Sequence, residues 1–209
     1  MFKGSAEEYA LTKKDQPVIL AAFYNAGLCA SPDYMTIEEA GLITNSQFSD
    51  ITFESVDFNG EDFSGFKWFT GITQIPNNKF KNCNISRIIL PNTVTHIGTQ
   101  GFAESNITNI DLTYITSASS FICNQCAHLT KAIIGPSTPM REYGMFRMCF
   151  ALNTVICKAT TPPTFNEAFG SLGTTRFIVY VPDNSVSAYQ ANEQWGVYII
   201  KGMSEYVES

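Results

Sequence analysis

The chain has 209 residues, 44% hydrophobic and only 15% charged, which is enough apolar material for one substantial core with end caps and excludes a disordered segment. A net charge of −6, a pI near 4.9 and the lack of any Lys/Arg cluster exclude nucleic acid and anionic membrane surfaces as partners, since both need a basic footprint. No run approaches the roughly 18 apolar residues of a membrane span, so no insertion is expected; the longest candidate, PVILAAFYNAGLCA, is broken by Asn25 and Gly27.

The opening MFKGSAEEYALTKKDQ has no apolar stretch followed by a small-residue cleavage site, so no secretory signal is read there. DQPVILAAFYNAGLC then has Pro17 near a helix start, with Asp15 placed to cap it. In TIEEAGLI, Thr36 and Glu39 stand at capping-box spacing, so two short helices are expected. The alternation in SDITFESVDFNGEDFSGFKWF, with Asn59-Gly60, predicts strand and turn. Phe63, Phe66, Trp68 and Phe69 read as core of this front unit, leading into Ile72 and Ile75. The carboxylate pairs Glu38-Glu39 and Glu61-Asp62 fit solvated helix-start and turn positions better than acid–base chemistry.

From here the sequence repeats. Ile85, Ile107, Leu129 and Leu152 are separated by 22, 22 and 23 residues. Ile88, Ile110, Ala132 and Val155 follow three positions on, then Leu90, Leu112, Ile134 and Cys157 two beyond those. Each unit thus reads as a short period-2 strand entered from a bend. Upstream runs an aromatic column, Phe80, Phe102 and Phe146, with Cys123 in its third place, and then small residues at Cys83, Ser105, Cys126 and Cys149. Pro91 and Pro136 stop strands, and Gly98 and Gly101 supply tight backbone. One such unit cannot bury its own apolar face, so the units stack into a solenoid of about four rungs.

Little chemistry can be assembled from what remains. Cys123-x-x-Cys126 with Cys149 and Cys157 has a zinc-like look, but repeat positions account for all four as small core residues. The six cysteines are compatible with three disulfides or none; Cys126 with Cys149 would join adjacent rungs. His96 and His128 stand in turns, and no nucleophile elbow, phosphate-cradling loop or His-Glu-x-x-His helix is present. No enzyme, metal or cofactor is expected.

The segments IILPNTVTHIGTQGFAES-NITNIDL and RMCFALNTVICKATTPPTF, with RFIVYVPDNSVSAYQANEQWGVYIIKGM, resemble the BspA-like leucine-rich repeat family and its C-terminal cap. The resemblance implies an α/β solenoid: a short right-handed leucine-rich-repeat array with parallel short strands, a helical N-terminal cap and an α/β C-terminal cap. The expected limits are 1–68 for the N-terminal cap, 69–158 for the repeats and 159–209 for the C-terminal cap. WFTGITQIP and the helices before it also resemble an EF-hand-like segment found ahead of such repeats. Its loop departs from the pattern: with Glu39 at position 12, positions 1, 3 and 5 are Leu28, Ala30 and Pro32, which leaves calcium without carboxylates.

A surface is left as the candidate site. Strand positions alternating with the core form one polar stripe, Arg87, Asn109, Lys131 and Thr154. Beside it lies a largely apolar one, Ile89, Ile133 and Ile156, with Asp111 in its second rung. Contiguous apolar area marks either an interface or a surface covered within the chain. The resemblance implies a non-catalytic, adhesin-like interaction module at an exposed surface, binding protein or glycan on a host or particle. The lack of a signal or anchor favours a bacteriophage virion decoration or receptor-binding protein. The alternatives are a bacterial cell-surface adhesin and an assembly subunit, homo-oligomeric or bound to a virion partner, that uses the apolar stripe.

Overall fold

The fixed φ of Pro17 opens α1 (Pro17–Asn25), which lies between β1 (Tyr9–Thr12) and its antiparallel partner β2 (Tyr34–Thr36). The structure is a computed structural model and describes residues 9–172 and 177–208. Residues 1–8, within the stretch read for a signal, and 173–176 and 209, inside the expected C-terminal cap, lie outside the described residues.

The cap of α1 differs from the expected one. Gln16, not Asp15, is the N-cap residue and its side chain makes no cap bond; Asp15 instead accepts from the Thr12 hydroxyl at 2.8 Å. The free N–H groups of Val18 and Ile19 donate to the two carboxylate oxygens of Glu61, at 2.7 and 2.9 Å. One half of a carboxylate pair expected to be solvated is therefore buried, 8% exposed, at the positive end of a helix. Its neighbour Asp62 stays on the surface.

The capping box of Thr36 and Glu39 forms as expected and starts α2 (Ile37–Leu42). A second box, Thr44 with Gln47, starts α3 (Asn45–Asp50), which the sequence reading lacks because its only buried residue, Phe48, gives no period to follow. The strand expected over the alternation from Ile51 to Phe58 does not form. Ile51, Phe53 and Phe58 instead turn inward together into a cluster with Phe23, Phe48, Phe63, Phe66, Phe69 and Phe80. Asn59 and Gly60, at φ 55° and 73°, do make the expected turn.

After that turn comes β3 (Glu61–Phe63), and the chain begins to stack. β4 (Gln74–Ile75), β5 (Ile85–Ile88), β6 (His96–Ile97), β7 (Asn109–Leu112), β8 (Ser117–Ala118), β9 (Lys131–Ile134) and β10 (Thr154–Cys157) follow. β11 (Ile178–Val181), α4 (Val186–Gln190) and β12 (Ile199–Gly202) close the chain. All pairing from β3 onward is parallel. The main sheet runs β12-β11-β10-β9-β7; β3 pairs with β5, and β4-β6-β8 form a second ladder on another side. The four rungs aligned by sequence are thus the middle of the stack, prolonged in front by β3 and behind by β11 and β12.

A third ladder runs through the bends that carry the aromatic column. Phe80, Phe102, Cys123 and Phe146 each donate their N–H to a carbonyl of the next turn at 2.7–2.9 Å. The small-residue column does more than save space. Ser105 Oγ and Cys126 Sγ both donate to the Phe102 carbonyl, at 2.7 and 3.0 Å, and Cys149 Sγ donates to the Cys123 carbonyl at 2.9 Å, so side chains add to the backbone bonds these carbonyls already accept from Ser105 and Cys126 and tie adjacent bends together. All six cysteines are free and buried, so the Cys126–Cys149 bridge is not made. Gly98 is required by close approach, since a Cβ there would stand 2.7 Å from the backbone nitrogen of Asn77.

Three donors tie the last segment back onto the ATTPP run. Trp195 Nε1 donates to Pro163 O at 2.7 Å, Tyr189 OH to Ala159 O and Ser185 Oγ to Thr160 O, both at 2.8 Å. The irregular ATTPP segment offers those carbonyls because its two prolines cannot continue a ladder.

Candidate binding site on the strand face

Registry along the main sheet fixes which side chains share a stripe. Asn109 pairs with Lys131, Lys131 with Thr154 and Thr154 with Ile178, so the polar stripe expected from sequence is continuous over three rungs and then turns apolar. Arg87 stands apart on β5, beside Asp62, its guanidinium 3.9 Å from that carboxylate. The second stripe runs Asp111, Ile133, Ile156, Tyr180 and Lys201.

The isoleucines are less available than the alternation suggests. Ile156 is only 8% exposed, and Ile89 and Ile133 are half-buried. Asp111, whose carboxylate accepts the Thr113 N–H at 2.8 Å, separates Ile89 from Ile133. Ile89 instead borders a small cavity of about 140 Å³ with Leu90, Pro91 and Tyr114.

A concavity of about 340 Å³ on this face is polar. Asn109, Lys131 and Thr154 form its floor, with Thr130 and Asn153 from the bends just before their strands. Tyr180, Tyr206 and Val207 complete the wall. Thr130 Oγ1 donates to the Thr108 carbonyl of the preceding rung at 3.0 Å and Thr154 Oγ1 to Asn153 Oδ1 beside it at 2.9 Å, so the floor is held both along the stack and within a rung.

Lys131 is the charged centre of this groove. Its ammonium donates to the Glu208 carboxylate at 3.1 Å and reaches the Tyr206 hydroxyl at 3.4 Å. Partial burial works against its charge, yet these two partners outweigh it and raise its pKa. Sequence reasoning identified Asn109, Lys131 and Thr154 but missed Tyr180, Tyr206 and Glu208. Tyr180 was legible as an outward position of the alternating strand IVYV; nothing in the sequence brings residue 206 back over β9.

Glu39, at the position where an EF-hand would present its bidentate ligand, accepts the N–H groups of Ala30 and Thr36, each at 2.8 Å. Burial opposes its charge, and these bonds outweigh it and hold the carboxyl below its usual range. No group of three His, Cys, Asp or Glu is arranged for a metal among the described residues. His96, on β6, meets Ser117 Oγ at 3.0 Å, and His128 is exposed. No helix among the described residues is long and apolar enough to cross a membrane.

Residues 51–174 match the family model described as BspA type leucine rich repeat region, in six copies. The repeats therefore outnumber the four rungs aligned by sequence. A solved leucine-rich repeat protein from Bacteroides ovatus is similar at 16% identity and a TM-score of 0.40, the match covering 68% of this chain and 48% of that one. This chain thus spans about half the length of that protein. No curated protein matches.

Proposed function

The chain belongs to the BspA-type leucine-rich repeat family, and from that premise we propose that it is a non-catalytic interaction module whose strand face binds a protein or glycan partner. The observation that carries the reading is the groove itself: Asn109, Lys131 and Thr154, in register on adjacent parallel strands, form the polar floor of a concavity of about 340 Å³ on the face. Hydrogen-bonding side chains on a rigid sheet are pre-organised, so a ligand pays little ordering entropy on the protein side.

The setting we propose is an exterior surface, of a bacteriophage virion or of a bacterial cell. Family membership supports display at a surface, and labelling of cells and of phage particles with an antibody to this chain distinguishes the two. Self-assembly through the isoleucine stripe has weaker support, because Ile156 is buried and Asp111 interrupts the stripe.

The test is binding of the labelled protein to glycan arrays and to bacterial cells, wild type against Asn109→Arg/Thr154→Arg, with circular dichroism to check the fold. Binding by the wild type and a loss of roughly tenfold or more in the variant are expected, since two arginines fill a site rich in hydroxyl and amide groups. Equal binding by both proteins would remove the strand face from the function.

A further inference from the structure

The last described residues fold back over the groove, and the way they do so suggests what it accepts. Ser204 donates its N–H and its hydroxyl to Asp183 Oδ1, at 3.1 and 2.8 Å, which fixes the turn after β12. Beyond that anchor the chain lies extended, with Tyr206 at φ −75° and ψ 126°. Alternate side chains of an extended segment face the same way. Tyr206 and Glu208 reach the sheet at Lys131, while Val207, 81% exposed, borders the groove at its rim. The Tyr206 ring sits edge-on against Tyr180, centroids 5.0 Å apart, and Glu208 reaches Lys131 on β9.

This cover is lightly held. The backbone hydrogen bond of Tyr206 goes to Met203, inside its own turn, and the contacts it and Glu208 make with the sheet are through side chains. The Glu208 side chain is 79% exposed, so its ion pair contributes little to holding the segment down. Beyond Lys131 the groove continues to Asn109 and can take further residues of a longer segment.

We propose that the strand face around Lys131 and Tyr180 is a peptide site selective for an extended segment with an aromatic residue followed two positions later by a carboxylate, and that Tyr206–Glu208, which wall one side of the groove, hold that place in cis until such a partner displaces them. The aromatic residue takes the Tyr180 edge and the carboxylate takes the Lys131 ammonium. The proposal rests on the strand-face reading above and names the partner chemistry of that site.

The test uses a fluorescein-labelled peptide, Ser-Glu-Tyr-Val-Glu, and full-length protein in fluorescence anisotropy. An occupant tethered a few residues away competes at an effective concentration in the millimolar range, so Tyr206→Ala/Glu208→Ala is expected to bind the peptide roughly tenfold or more tightly than the wild type. Adding Lys131→Met, which keeps the aliphatic stem, is expected to abolish that gain, as is a peptide with Ala for Tyr and Gln for the last Glu. Equal affinity for wild type and double variant, binding that survives Lys131→Met, or no binding by any protein would each overturn the proposal. If the peptide fails while Asn109→Arg/Thr154→Arg still loses glycan or cell binding, the strand-face function stands and the peptide chemistry alone is wrong.

Discussion

Phe80 lies flat against Phe102, ring centroids 5.1 Å apart and planes 9° apart, and two rungs further on Phe146 lies the same way on Phe169 at 5.8 Å and 13°. Between the two pairs stands Cys123, so the aromatic spine is in two pieces joined by a thiol.

Phe102→Ala empties a fully buried ring site flanked by turns that cannot collapse onto it, and is expected to cost about 3–5 kcal/mol. In a stacked array each unit leans on its neighbours, so in a Trp68→Phe background urea unfolding followed by circular dichroism and by Trp195 fluorescence should no longer coincide. Coincident curves with a loss below about 1 kcal/mol would mean that this ring is not structural.

Glu61 ties the helical front to the first parallel strand by accepting from the N terminus of α1. Glu61→Gln keeps the shape but removes the charge and turns one acceptor into a donor facing an N–H. A loss of about 1–3 kcal/mol in urea unfolding is expected, with faster amide exchange at Val18 and Ile19. Unchanged exchange at those two amides would reject the capping role.

The middle of the stack was legible because its strands recur at almost constant spacing and its core positions are apolar. The front was not. Phe63 pairs with Ile88, 25 positions on, which breaks the period of 22, and Ile51, Phe53 and Phe58 alternate like a strand while feeding an aromatic cluster. On the candidate face, the polar stripe followed from alternation alone, whereas its cover by Tyr206 and Glu208 is a contact over 75 and 77 residues that no local pattern encodes.

Each bend carries left-handed residues two positions before and after its aromatic-column member. Gln100 and Glu104 flank Phe102, Phe121 and Gln125 flank Cys123, and Gly144 and Met148 flank Phe146, all at φ between 56° and 70°. Only one of these is glycine. Gln125→Asn is expected to hold or raise stability by up to about 1 kcal/mol, and Gln125→Val to lower it by about 1–2 kcal/mol, because β-branching is worst at positive φ. Thermal melts of the two variants should bracket the wild type; a valine variant as stable as the wild type would contradict the geometry.

The buried thiols should be chemically quiet. Burial pushes the Cys83 thiol up to about 12 and raises Cys123 and Cys157, and Cys149 is raised by its bond to the Cys126 sulfur and by burial; at Cys126 burial is outweighed by the side chains of Cys123, Cys149 and Ser105, which lower it, but it is fully buried and out of a reagent's reach. Native protein at pH 8 is expected to give negligible fast reaction with a disulfide reagent, and all six cysteines should react after denaturation. Rapid native labelling at any site other than Cys29, which lies nearest the surface, would show that the rungs open.

Lys79 is buried at 5% exposure, its ammonium donating to the carbonyls of Phe48 and Ile51 at the end of α3 and facing the Phe48 ring at 4.1 Å and the Phe53 ring at 4.8 Å. Burial pushes its pKa from 10.5 down to about 7, with the charge of Asp50 pulling the other way. Below about 7 folded and unfolded chains both hold the proton, and Lys79 contributes no slope. Between there and 10.5 the unfolded chain holds a proton the folded one has released, so stability rises with pH across that window. Lys79→Met cannot titrate. The difference in urea midpoint between wild type and Lys79→Met should therefore shift in favour of the wild type as pH rises from about 6 to about 9. A difference that is constant with pH would mean that Lys79 keeps its proton in the folded chain, held by the two carbonyls and the rings; a shift towards the variant would reverse the sign and rule out burial as the dominant influence.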